Sequence, residues 1–301
     1  MRQLVGYFKV VWLIALLLFV GLYIFRHTEQ IEYFLETLPT ETICWAFSFL
    51  MTAKLLLTLS MFYCLRMLGL KLSLFECFYI YNVTTIAKYI PGNIWHFVGK
   101  IGYYRAKGFN ASQIRDSILV ETLWVLFGAG ITGVLFLFFS GVGDIPNISV
   151  DYKKYSWIGI IILSVLLAIS YGYFRKLITI MVQQIGFTSL LFLIQLFFWF
   201  FIGLSFYLIA DTYISSANPI FFVYGLYAIA YIIGFITPFS PGGIGIREGI
   251  LVGGLVSFMP AQQALLVAGF HRILYLIAEA ILALLSFALM TFSKNTKLKL
   301  M

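Results

Sequence analysis

"PFSPGGIGIREGI", residues 238–250, is the stretch that decides the fold. It lies in a run otherwise apolar enough to be one more membrane helix. Two prolines, four glycines, Arg247 and Glu248 interrupt that run. Proline lacks the N–H that a helix needs and disfavours a helical residue before it. Glycine accepts dihedrals that other residues avoid. Bare backbone is costly in hydrocarbon, so such a break persists only where protein or a watery cavity surrounds it. The stretch therefore predicts a helix broken inside a membrane. The helix that restarts after the break offers free N–H groups and a partial positive charge, which suit an anion such as phosphate.

The rest of the chain supports a membrane setting. Of 301 residues, 62% are hydrophobic, 19% aromatic and 11% charged. A soluble domain is about half apolar and about a quarter charged. Six runs approach the length of a membrane-crossing helix, at about 8–26, 43–65, 117–139, 156–174, 188–210 and 262–292. The first follows Arg2 and Lys9, lacks a small-residue cleavage site, and is expected to be a retained helix. The expected fold is all-α and polytopic, with about six full spans and two proline-glycine broken, re-entrant helices. The alternative is eight spans.

The other break is "YIPGNIW", residues 89–95. Both breaks read Pro-Gly-x-Ile, and Pro91 and Pro241 are 150 positions apart. The neighbouring apolar runs follow a similar offset, so the single membrane domain divides into pseudo-repeat halves of about 1–150 and 151–301. Three crossings per half would invert the second half relative to the first, a recurring transporter plan. Loop charges give an orientation. A cytoplasmic N-terminus places Arg66, Lys71, Lys100, Arg105, Lys107 and most other basic loop residues inside. The acidic 27–41 loop, Asp144 and Asp151 then lie outside. Both termini are expected to be cytoplasmic.

Arg247 lies one turn beyond Gly242, Gly243 and Gly245, in reach of a phosphate that these glycines let approach the backbone. Glu248 would hold Arg247 or meet a cationic part of a ligand. The competing reading is a tight helix contact with an internal Arg–Glu pair. In the first break, Asn93 is placed to cap the next helix, followed by Trp95, His96 and Lys100. Trp95, Tyr103 and Tyr104 fit interface anchors. Lys88 and Lys100 either attract anionic headgroups or set orientation. Lys54, Glu121, Arg272 and Glu279 are charges within spans, and such charges face a cavity or a partner. Arg272 and Glu279, seven apart, share a helix face. Lys54 pairs with Glu121 or Glu279. Glu121, Glu279 and His271 are open to either static pairing or a proton role.

The net charge of +8 follows from positive-inside loops, and nucleic acid is not an expected partner. Cys44, Cys64 and Cys77 lack metal-ligand spacing, so no metal site is expected. The sequence has no His-Glu-x-x-His, P-loop or Gly-x-Ser-x-Gly motif, so neither an enzyme nor a cofactor is expected.

"PFSPGGIGIREG" together with "KYIPGNIWHFVGKIGYYRAKG" resembles the lysylphosphatidylglycerol synthase transmembrane region, the flippase-like family. The resemblance covers nearly the whole chain. It implies that Pro241, Gly242, Gly243, Gly245, Arg247 and Glu248 form the family's glycine-rich signature, and that Pro91 and Gly92 match its earlier element. It implies a translocator in the cytoplasmic membrane that moves a phosphate-bearing glycolipid or an aminoacyl-phospholipid between leaflets. The sequence closes at "TKLKLM" without the soluble aminoacyl-transfer domain of the best-known members, so a stand-alone member is expected. The alternative is a non-transporting accessory of envelope glycan or glycolipid assembly, with envelope-biosynthesis proteins as partners. Anionic membrane lipids are the expected ligands.

Overall fold

The computed structural model describes residues 28–90, 94–140, 171–214, 219–237 and 240–299. The predicted span at 8–26, most of that at 156–174, and Pro91, Gly92 and Asn93 lie outside them. The described residues form helices and no strand. In chain order the α-helices are α1 (Thr28–Thr37), α2 (Thr40–Met67), α3 (Leu74–Ile86), α4 (Trp95–Ala106) and α5 (Ala111–Phe139). They continue as α6 (Tyr171–Gln183), α7 (Ile185–Asp211), α8 (Ile220–Ile236), α9 (Ile246–Leu255) and α10 (Ala261–Lys299). Among the described residues four stretches are long and apolar enough to cross a membrane: α2, α5, α7 and Ala261–Thr291 of α10. They fall where hydropathy placed spans.

Starts and stops follow local chemistry. Ser73 caps α3 by accepting from the Glu76 N–H, and the Glu76 carboxylate accepts from the Ser73 N–H in return. Asn110 and Gln113 repeat this capping box at α5. α3 gives way to a 3-10 turn at Ala87–Tyr89 just before the first proline-glycine break. α8 ends at Ile236, and a second 3-10 turn occupies Pro241–Gly243.

The burial pattern is that of a membrane protein. Phe138 is 79% exposed and Leu284 72%, whereas Lys54, Glu279 and Arg247 are almost wholly buried. Water would reverse that arrangement, whereas hydrocarbon tolerates it. This is an all-helical polytopic membrane protein.

The most extensive contact joins α2 to α7. Three polar bonds cross this pair, from the Gln195 amide to Ser60 Oγ at 2.9 Å, from Ser205 Oγ to the Ala46 carbonyl at 2.7 Å and from Thr188 Oγ1 to Met67 Sδ at 3.8 Å. Such bonds serve in place of a hydrophobic drive, which lipid cannot supply. The other contacts come in matched sets. α3 packs on α10 as α8 packs on α5, α3 meets α4 as α8 meets α9, and α4 meets α5 as α9 meets α10. Exchanging the halves leaves this pattern unchanged.

Close approach depends on small residues. A Cβ on Gly203 of α7 would lie 2.5 Å from two carbons of the buried Tyr224 ring on α8. Gly203→Ala is expected to cost about 1–3 kcal/mol through overpacking. The check is a lowered midpoint of thermal unfolding in detergent, with an unchanged midpoint counting against this close contact.

Candidate functional site

The turn that precedes the first break meets the turn within the second. The turn at Ala87–Tyr89 contacts the turn at Pro241–Gly243. Gly242 has φ +59°, and a Cβ there would come within 2.8 Å of the Tyr89 ring. Only glycine suits both the left-handed backbone and the contact. Gly242→Ala is expected to destabilise by about 1–2 kcal/mol from backbone strain alone, read as a lower melting temperature, and an unchanged one would refute the tight junction.

Beside this junction lies a cavity of about 110 Å³. Its walls come from both halves, with Lys54 of α2, Tyr81 of α3, His96 and Lys100 of α4 and Glu121 of α5 on one side. Tyr231 of α8, Gly242, Gly243, Arg247 of α9, and Arg272, Tyr275 and Glu279 of α10 stand on the other. The lining holds five cationic side chains, Lys54, Lys88, Lys100, Arg247 and Arg272, against the carboxylates of Glu121 and Glu279.

Most of these charges are internally matched. Glu279 Oε1 accepts from Lys54 Nζ and from Lys88 Nζ, each at 2.5 Å, and Oε2 accepts from the Tyr89 hydroxyl at 2.7 Å. Lys100 Nζ donates to Glu121 at 2.5 Å. Arg272 donates through Nη2 to the Gly242 carbonyl at 2.5 Å, and its Nε lies 3.4 Å from Glu248 Oε1. Glu248 also accepts the Gly245 N–H at 2.6 Å, closing the start of α9 with its own carboxylate.

Arg247 is different. It is 5% exposed and forms no ion pair among the described residues. Its guanidinium carbon lies 4.3 Å from the Tyr227 ring centroid, 5.2 Å from that of Tyr275 and 5.3 Å from that of Tyr231. Desolvated cation–π contacts of this kind contribute about 2 kcal/mol. They leave the hydrogen-bonding capacity unused. Arg247 Nη2, Arg272 Nη1 and Arg272 Nε are buried with no hydrogen-bond partner among the described residues. His96 Nδ1 is in the same condition. Buried donors are rarely left unmet, so each such atom calls for a ligand or water.

His96, Lys100, Lys54, Glu121, Gly242, Gly243, Arg247, Arg272 and Glu279 all line this one cavity. Pro241 is buried in the adjoining turn, and Gly245 and Glu248 lie at the start of α9. One pairing differs from expectation. Glu248 faces Arg272 rather than Arg247, because its side chain folds back onto the Gly245 N–H. Of its two expected partners Lys54 takes Glu279, and Glu121 is left to Lys100. Lys100, assigned from charge to a cytoplasmic loop, is buried at 6% exposure on the cavity face of α4. Tyr104 is no interface anchor, being 1% exposed and packed with Cys77 and Ile80. His271 lies outside the lining, buried with Nε2 3.2 Å from Ser205 Oγ.

The tyrosines Tyr81, Tyr89, Tyr227, Tyr231 and Tyr275 were not foreseen as site residues. A signal for two sets existed. Tyr275 is three after Arg272 and four before Glu279, and Tyr227 and Tyr231 are four apart, so each set shares a helix face.

A model of one protein family, the lysylphosphatidylglycerol synthase TM region, matches residues 8–283. No curated protein matches the chain.

Proposed function

We propose that this chain, which belongs to the lysylphosphatidylglycerol synthase transmembrane-region family, carries a phosphate-bearing lipid between the leaflets of the cytoplasmic membrane. The observation that carries this reading is the cavity beside the junction of the two turns, where guanidinium groups with unmet donors stand inside an apolar bundle. The headgroup enters this cavity while the acyl chains stay in the bilayer. Arg247 binds the phosphate, and Arg272 and His96 add donors. Arginine suits this task because its planar fork matches phosphate oxygens.

The matched contacts of the two halves support an inverted repeat. In such a protein, rocking of one half against the other opens the site to each side in turn. Tyr89, Lys88 and Gly242 lie at the junction about which that motion takes place. The orientation with both termini in the cytoplasm follows from loop charge and is part of the proposal.

The test is leaflet transport in liposomes containing only the purified protein and a trace of fluorescent anionic phospholipid. Dithionite quenches the outer leaflet, and protection lost over minutes reports movement. Movement above that of protein-free liposomes is expected. Lipid binding without movement would instead assign the protein to the accessory role in envelope glycolipid assembly.

A further inference from the structure

We propose that the ligand group is a terminal phosphate carrying about two negative charges and no amine, and that a cationic aminoacyl headgroup is excluded. This rests on the reading of the cavity as a headgroup site and names the class of headgroup.

The first argument concerns the carboxylates. A lysyl or other aminoacyl headgroup brings an ammonium, which needs a free carboxylate or an open aromatic face. Glu279 already takes two lysines and a tyrosine hydroxyl. Glu121 holds Lys100, and Glu248 holds the Gly245 N–H beside Arg272. The faces of the lining tyrosines Tyr81, Tyr231 and Tyr275 are occupied as well. Lys54 Nζ lies 3.2 Å from the Tyr275 centroid, and Arg247 sits among Tyr227, Tyr231 and Tyr275. An entering ammonium would meet five cations in the lining and no carboxylate without a partner.

The second argument concerns charge. The five cations of the lining face Glu121, Glu279 and the adjoining Glu248, which leaves two positive charges over. The surplus sits on Arg247, which has no ion pair among the described residues, and on Lys54 and Lys88, which share the one carboxylate of Glu279, while Arg272 beside Glu248 adds unmet donors; both arginines are more than nine-tenths buried. Both guanidinium groups lie against the one Tyr275 ring, at 5.2 and 5.3 Å from its centroid. A phosphomonoester carries about −1.5 to −2 at neutral pH, with its second ionisation near about pH 6. Beside two guanidiniums the second proton is readily lost. A phosphodiester offers a single charge and leaves one of the two surplus charges unbalanced in a medium that penalises it.

Native mass spectrometry of the full chain, released from nanodiscs containing equal parts phosphatidylcholine, phosphatidylglycerol, lysylphosphatidylglycerol and phosphatidic acid, tests this. Phosphatidic acid is expected to be retained at least about tenfold over phosphatidylglycerol, which corresponds to one further charge-assisted contact. Lysylphosphatidylglycerol is expected at the level of phosphatidylcholine. Arg272→Gln is expected to remove the preference for the monoester. Because Arg272 also holds the Gly242 carbonyl, Arg247→Gln, which breaks no internal ion pair, provides a second variant with the same expected loss. Lysylphosphatidylglycerol retained as well as phosphatidic acid would overturn the exclusion. Equal retention of phosphatidic acid and phosphatidylglycerol would overturn the dianion. Inorganic phosphate that binds as tightly as the lipid would assign the site to a soluble anion and overturn the lipid ligand. Selective retention without leaflet transport would leave this inference standing while the translocator reading fails.

Discussion

Replacing Glu279 with alanine is expected to cost about 3–5 kcal/mol of stability, the usual penalty for breaking a buried ion pair from one side. Three groups converge on this carboxylate: Lys54, Lys88 and the Tyr89 hydroxyl. Lys54 is 2% exposed and lies in a candidate span, so neither water nor an extended side chain rescues it. The three partners come from α2 and from the turn before the first break, whereas Glu279 is on α10. One carboxylate thus ties the two halves together beside the cavity. Glu279→Gln keeps an acceptor for Tyr89 and the packing volume, so its loss should be smaller. Thermal unfolding in detergent reads both. Wild-type melting of the alanine variant would show that the convergence contributes nothing.

Arg247→Gln is expected to behave in the opposite way, losing lipid transport by about 10- to 100-fold while unfolding close to the wild-type temperature. Hydrogen bonds to charged groups contribute about 1.5–3 kcal/mol, which sets the fold-change. Stability should change little because the lost ring contacts are offset by removal of a buried charge, and no carboxylate loses its only partner. Glu248 retains the Gly245 N–H and Arg272. What disappears is a buried charge held only by rings, together with an unmet donor on a cavity-lining side chain. Arg247→Lys keeps the charge without the planar fork, and an intermediate rate is expected. Transport rates in liposomes separate the three proteins, and a wild-type rate for Arg247→Gln would remove Arg247 from the site.

These two residues show what the sequence could and could not reveal. The long spans were legible because apolar length alone defines them, as in α5 and α7. The intramembrane charges were legible as a set because each is too costly to stand without a purpose. Their partners were not, since Lys54 and Glu279 are 225 positions apart and only packing brings them together. Glu248 misled for a local reason. Adjacency to Arg247 suggested a pair, yet neighbouring helical residues point in different directions. Its carboxylate also competes for the N–H groups at the helix start, and the capping bond prevailed. The tyrosines were hidden by their number. Among 19 in the chain, nothing but helical spacing marks Tyr275 or Tyr231 as facing a cation.

The central claim is that a lipid phosphate occupies the cavity beside the junction of the two turns. Photo-crosslinking with benzoylphenylalanine in place of Phe235, which lines the cavity, tests it most directly. The same group in place of Phe200, 47% exposed on the apolar face of α7, serves as the control for bulk lipid. The account predicts adducts at position 235 that are enriched in anionic, phosphate-terminated lipids over those at position 200. That enrichment should vanish when Arg247→Gln is combined with it. An adduct population at 235 that matches the bulk membrane, or one unaltered by the loss of Arg247, would contradict it.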